Sequence, residues 1–213
     1  METIFSALGN LIYVIIGLVA AWGAYCVIVV WNRVKQKQFP NEEGQIAFLE
    51  AIEQPLSRGD YQGAVEVCEG DRRAVCQLAQ LALENRDMSY SKIKQLVVDR
   101  FHRDVLQDLD FRLSWVYTVI KSAPMLGLLG TVMGMMAAFA KLAASKTVEP
   151  DKLAGDIQFA LITTALGLAI AIPLVLCTAY INVQIRKMDD LVSYGINQFL
   201  EIFRNALTRF PNK

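Results

Sequence analysis

Thr131, Thr163 and Thr164 sit deep inside two long apolar stretches, among small residues and within reach of two prolines, Pro124 and Pro173. Hydroxyls there can give or take a hydrogen bond across a close helix contact but cannot carry a charge. Each proline removes one backbone hydrogen bond, which frees a carbonyl that must find another partner or face a polar cavity. No Asp, Glu, His, Lys or Arg occurs from Ser122 to Ala140 or from Ile157 to Ile185, where a proton carrier would have to sit. The chain therefore cannot relay protons alone, and an ion crossing here needs a carboxylate from another polypeptide. Asp156 and Glu149, at the edge of the second stretch, could attract cations.

Other chemistry is poorly supplied. Cys26 and Cys177 lie in apolar blocks, Cys68 and Cys76 in a polar middle, and none forms a CxxC pair. They read as small buried hydrophobes. His102 lies in a run of charges with no Cys or Ser beside it, so it reads as a solvated helix residue. No nucleophile, base or metal constellation is present in the sequence, and the expectation is a protein that is not an enzyme and needs no cofactor. Lys plus Arg and Asp plus Glu both number 21, which gives no basic excess for nucleic acid.

The elements that hold the threonines follow from where the apolar residues fall. Hydrophobic residues make up 54% of the chain, above the globular norm, and they concentrate in three blocks. From Thr3 to Asn32 no side chain is charged, and Leu8 to Trp31 is long enough to cross a bilayer. With Glu2 and no basic residue ahead of it, this block reads as a retained span and not a cleaved leader. Lys and Arg are absent from the first seven residues but follow the first block (Arg33, Lys35, Lys37), precede the second (Arg112, Lys121) and follow the third (Arg186, Lys187). By the positive-inside rule the N-terminus lies outside and the C-terminus in the cytoplasm. The short loop between the second and third blocks balances Lys141, Lys146 and Lys152 with Glu149, Asp151 and Asp156.

The expected fold is an all-α membrane protein with three transmembrane helices, two of them extended into a cytoplasmic helical bundle. The expected organisation is an outer tail (1–7), a first span (8–31), a cytoplasmic helical domain (32–112), a second span (113–143), an outer loop (144–156), a third span (157–185) and a cytoplasmic helix (186–213). Within the polar middle, residues 57–60 end one helix and cap the next, whose apolar positions are Ala64, Val67 and Cys68. Ser89 starts a helix that runs through Ile93, Val97, Phe101, Val105 and Leu109 into the second span. Met188, Val192, Ile196, Phe199, Phe203 and Leu207 make one apolar stripe beyond the third.

On the second span Gly127, Thr131, Gly134 and Ala138 share one helical face at steps of four, three and four; Ala160, Thr164, Gly167 and Ala171 repeat those steps on the third. Such faces let helices approach closely in lipid. Tight packing within or between subunits and a pore lining both remain open on this pattern.

The segments 123–135 (APMLGLLGTVMGM) and 160–173 (ALITTALGLAIAIP) resemble the two signature segments of the MotA/TolQ/ExbB proton-channel family. The order of spans is similar to the TolQ and ExbB branch throughout. The resemblance implies a subunit of a bacterial inner-membrane motor, in which a pentamer of this chain surrounds two copies of an ExbD- or TolR-like single-span partner. That partner's membrane aspartate would take up and release protons, and the work would pass to a TonB- or TolA-like envelope protein. It also implies that Thr131 and Thr164, with Thr163 beside them, face the ion pathway and the partner, and that Pro124, Gly127, Gly130, Gly134, Gly167 and Pro173 shape the pore helices. One position departs from the pattern: Phe159 stands where ExbB proteins commonly have a glutamate, with Gln158 or Asp156 as substitutes. The competing expectation is a non-conducting oligomeric scaffold whose small-residue faces only pack.

Overall fold

The computed structural model describes the backbone of residues 2–144 and 150–210 and the side chains of 11–143 and 153–210. The described chain is all α-helical: α1 (Glu2–Lys37), α2 (Glu42–Ser57), α3 (Tyr61–Cys68), α4 (Ala74–Glu84), α5 (Tyr90–Arg100), a π-helical stretch (Phe101–Leu106), α6 (Gln107–Ala144) and α7 (Pro150–Arg209). Three segments, Leu11–Lys37, Tyr90–Ala143 and Leu153–Arg209, are long and apolar enough to cross a membrane. The chain is a multi-pass membrane protein.

Two boundaries differ from expectation. The tail expected over 1–7 is helical from Glu2, because no proline occurs before Pro40 to stop the helix. Of the loop expected over 144–156, residues 145–149 lie outside the described chain, and α7 has already begun at Pro150. Proline suits a first helical position, where its missing N–H has no partner to lose.

The chain divides into two compact units, residues 1–29 with 112–180, and residues 30–111 with 181–213. The second unit is built around large apolar side chains. Ile52 and Leu56 of α2, Leu83 of α4, Ile93 of α5 and Met188, Phe199 and Phe203 of α7 are all buried, with the two phenylalanine rings stacked 5.7 Å apart. The apolar stripe read on α7 is this core's wall, with Leu207 only half-buried. Between α2 and α3 the chain turns at Gly59, whose φ of +77° suits a residue without a side chain. Asp60 then caps α3 by accepting the Gly63 N–H at 2.9 Å. Ala64 and Cys68 point inward as expected, whereas Val67 is exposed. Ser89 occupies the N-cap position of α5 without a side-chain hydrogen bond.

The π stretch has a cause in the sequence. Ile93, Val97, Phe101, Val105 and Leu109 are all buried, at successive steps of four. At 3.6 residues per turn each step overshoots by about 40°, so a regular α-helix would swing Leu109 about 160° out of the stripe. One wider turn absorbs about one residue of that drift. Accordingly the Gln107 N–H bonds to the carbonyl of His102, five residues back.

Candidate functional site: the seam between α6 and α7

The first unit contains the nine glycines, prolines and threonines of the two apolar stretches that the sequence pattern picks out, and the structure brings the two small-residue faces together within one chain. The fit is close enough to involve backbone. A methyl group added to Gly127 would lie 2.7 Å from the Thr163 carbonyl, one on Gly134 would lie 2.8 Å from the Ala160 side chain, and one on Gly167 would lie 2.6 Å from the Ala123 carbonyl. Gly130 leaves its space to the Thr163 side chain. Separations below 3.0 Å are not ordinary van der Waals contacts, so only glycine permits this approach at Gly127 and Gly167. Ala138, Ala160 and Ala171 are buried along the same seam.

The three threonine hydroxyls converge at the middle of it. Thr163 is wholly buried and donates to the Ala160 carbonyl at 2.8 Å. Thr164 reaches the Gly127 carbonyl at 3.2 Å, and Thr131 reaches the Ala160 carbonyl at 3.1 Å. The hydroxyls of Thr131 and Thr164 also contact each other. Each hydroxyl has one proton and a spare lone pair, so a consistent arrangement sends Thr164 to Gly127 and leaves Thr131 to choose among the Gly127 and Ala160 carbonyls and the Thr164 hydroxyl. Thr131 and Thr164 are half-exposed, whereas Thr163 is enclosed. Thr131 and Thr164 thus keep one side of the cluster open, and Thr163 serves the packing.

Pro124 and Pro173 both lie inside their helices. They withdraw the hydrogen bonds that would end on the carbonyls of Ile120 and Ala169, four residues back. Phe159, at the position where the pattern departs, meets the edge of the Tyr13 ring of α1 at 5.1 Å. It is part of an aromatic contact between α1 and α7. Gln158 is exposed.

Two features were not singled out in the sequence. Gly23 of α1 faces Val119 of α6 and Leu174 of α7, with would-be contacts of 2.8 and 2.9 Å. It lets α1 lie against both helices, and the neighbouring Ala20, Ala21 and Ala24 were the signal for it. The second is an ion pair that closes one end of the seam, Lys141 on α6 with Asp156 on α7, at 2.9 Å to Oδ1 and 2.8 Å to Oδ2. Lys141 follows Ala138 by three and Asp156 precedes Ala160 by four, so both continue the stripes already read. Cys26 is buried in this unit, but Cys177 is exposed on α7 and is not the buried hydrophobe expected. Its neighbours Leu174 and Thr178 take the buried positions of that turn instead.

A sequence profile described as the MotA/TolQ/ExbB proton channel family matches residues 73–193. The chain is 38% identical to the biopolymer transport protein ExbB of Helicobacter pylori over 107 residues, covering 50% of this chain and 70% of that protein. It is 32% identical to the Tol-Pal system protein TolQ of Haemophilus influenzae over 108 residues, 50% of this chain and 47% of that one. An ExbB homolog of Methanothermobacter thermautotrophicus is 28% identical over 177 residues, 83% of this chain and 61% of the relative. The chain thus spans about half to seven tenths of the length of these relatives.

Proposed function

The chain belongs to the MotA/TolQ/ExbB proton channel family, and from that premise we propose that it is the stator subunit of an ExbB/TolQ-type motor. In this reading several copies, five by family likeness, surround a single-span ExbD- or TolR-like partner in a bacterial inner membrane, with the N-terminus periplasmic and the C-terminus cytoplasmic. The observation that carries the reading is the pairing of an absence with a cluster: two apolar stretches, 122–140 and 157–185, without an Asp, Glu, His, Lys or Arg, and three threonine hydroxyls gathered on their seam. Hydroxyls that cannot titrate suit a group that arrives with its own proton.

The physical sequence is short. A protonated carboxyl on the partner is neutral and passes an apolar wall at low cost, whereas the ionised form is held where donors can reach it. Half-exposed Thr131 and Thr164 are those donors; Thr163 holds the helices at the required distance. Alternation between equivalent subunits converts proton flow into motion of the partner, which does work on a TonB- or TolA-like envelope protein. No covalent step and no cofactor is required of this chain.

One observation favours a second reading, a non-conducting scaffold. Each of the three hydroxyls already has an acceptor within the chain, as packing alone would demand. Proton flux into vesicles holding the chain with its single-span partner separates the two. The motor requires flux that vanishes when the partner's membrane aspartate becomes asparagine; a scaffold gives none at any stage.

A further inference from the structure

The Lys141–Asp156 pair sits on the seam itself. The stripe of α6 runs Gly127, Thr131, Gly134, Ala138, Lys141, and that of α7 runs Asp156, Ala160, Thr164, Gly167, Ala171. The small side chains that let the helices touch therefore end in an ammonium on one helix and a carboxylate on the other. Asp156 Oδ2 is shielded from solvent, and among the described residues its partner is the Lys141 ammonium. The Asp156 backbone is pressed against α6 as well, its carbonyl 3.1 Å from where a Gly134 methyl group would stand. The pair is half-buried, with the Lys141 side chain 37% exposed and that of Asp156 21%, so solvent screens part of its Coulomb energy.

Charge in the rest of the first unit is sparse. Among its described side chains, α6 brings Arg112, Lys121 and Lys141, α7 brings Asp156, and α1 brings none. Asp156 is thus the one described carboxylate in the unit. The segment 141–156 as a whole is balanced, Lys141, Lys146 and Lys152 against Glu149, Asp151 and Asp156. Among the described side chains, loss of Asp156 leaves the Lys141 ammonium without a carboxylate partner at the end of the seam. Thr164 lies two helical turns along α7, about 12 Å. A unit charge at that distance, with an effective dielectric constant of about 20, changes an equilibrium by about tenfold.

We propose that Asp156 is a positioning residue for ion transfer. It neutralises Lys141 and holds it on the seam, so that a proton-bearing group reaches the Thr131 and Thr164 hydroxyls without meeting a fixed positive charge. The ion does not pass through Asp156. The inference rests on the conducting reading above and adds to it the electrostatic reason why an ion pair closes the seam.

The test is proton uptake by vesicles containing the chain with its single-span partner, driven by a potassium diffusion potential and read with an entrapped pH dye. Asp156→Asn is expected to lower the rate by about tenfold. Lys141→Met is expected to leave it within a few-fold of the unmodified protein, and the double variant Lys141→Met/Asp156→Asn to recover it. The exchanged pair Lys141→Asp/Asp156→Lys, neutral overall, should also conduct. Oligomer size and thermal midpoint in detergent are compared for every variant, so that loss by unfolding is seen as such. Equal losses from Lys141→Met and Asp156→Asn in intact oligomers mean a purely structural pair and overturn the proposal. So does a double variant as inactive as Asp156→Asn, which would make Asp156 itself a carrier. Undiminished flux in Asp156→Asn overturns it while leaving the conducting reading in place; no flux in the unmodified complex overturns both.

Discussion

The two units of this chain solve the same problem, holding long helices together, by opposite means. In the unit of residues 30–111 and 181–213 contact is made by large side chains such as Phe199, Phe203, Ile52 and Leu56, the composition of a core that excludes water. In the unit of residues 1–29 and 112–180 contact is made by the absence of side chains, at Gly127, Gly134 and Gly167, and by hydroxyl hydrogen bonds. Lipid tails are as apolar as leucine, so burying more leucine gains nothing between spans; close backbone approach and polar contacts remain. Leu128, Val132, Leu161 and Leu168 are accordingly left exposed on the spans, while the small residues face inward. Where large side chains would fill the interface, there would be no partly open hydroxyl cluster, so the packing rule of this unit is also what leaves the Thr131 and Thr164 hydroxyls half-exposed.

Substitutions that exchange the two rules break the comparison most sharply. Phe203→Ala, a fully buried ring in the large-side-chain core, should cost about 3–5 kcal/mol in thermal or denaturant unfolding followed in detergent. Gly167→Ala, which adds a single carbon, should cost about 1–3 kcal/mol because that carbon meets the Ala123 carbonyl and the Pro124 backbone, neither of which can swing aside. Equal tolerance of alanine at Gly167 and at an exposed position such as Gly17 would contradict the seam.

Cys68 and Cys76 sharpen the picture of the second unit as a dry core. Burial, helped by the charge of Asp71, pushes the Cys68 thiol from 9.0 up to about 12, and burial pushes Cys76 up as well. A thiol raised on folding contributes fully below about pH 9, and that contribution erodes as pH climbs from 9.0 toward 12, since the unfolded chain ionises first. Maleimide labelling at pH 8 should therefore be slow at both until denaturant is added, and unfolding midpoints should fall above pH 9. Fast labelling of the folded chain would show that the core is open. A further test is Gly195, where a methyl group meets the Gln45 amide at 2.5 Å, and that amide is buried and donates to the Leu191 carbonyl at 2.9 Å. Gly195→Ala should cost about 1–2 kcal/mol, because the amide moves aside only by giving up that buried hydrogen bond.

Much of this was legible in the residues. Charge-free runs located the three spans, steps of three and four placed the two seam faces, and residues 57–60 announced the turn that Asp60 caps. The repeated step of four from Ile93 to Leu109 was also visible, yet it reads as one straight helix until the accumulated drift is set against 3.6 residues per turn. Periodicity names a face without naming its partner. That Gly127 meets Thr163 and that Thr163, unlike its neighbour Thr164, is sealed inside depend on the azimuth of one helix against another, which spacing leaves free. The Lys141–Asp156 pair was hidden for a different reason: charges near a loop read as solvent-facing, and only the packed seam shows that these two extend it.

The central claim is that the open side of the threonine cluster serves ion transfer and not only packing, and Thr164 tests it most directly. Proton flux should be compared in vesicles holding the single-span partner with Thr164, Thr164→Ser or Thr164→Val chains, each with its oligomer size verified. Serine keeps the hydroxyl and valine keeps the shape, so flux should survive in the first and fall at least about tenfold in the second, the loss of one hydrogen bond to a charged group. Full flux through the valine variant, in oligomers of unchanged size, would contradict the account and leave the seam as packing alone.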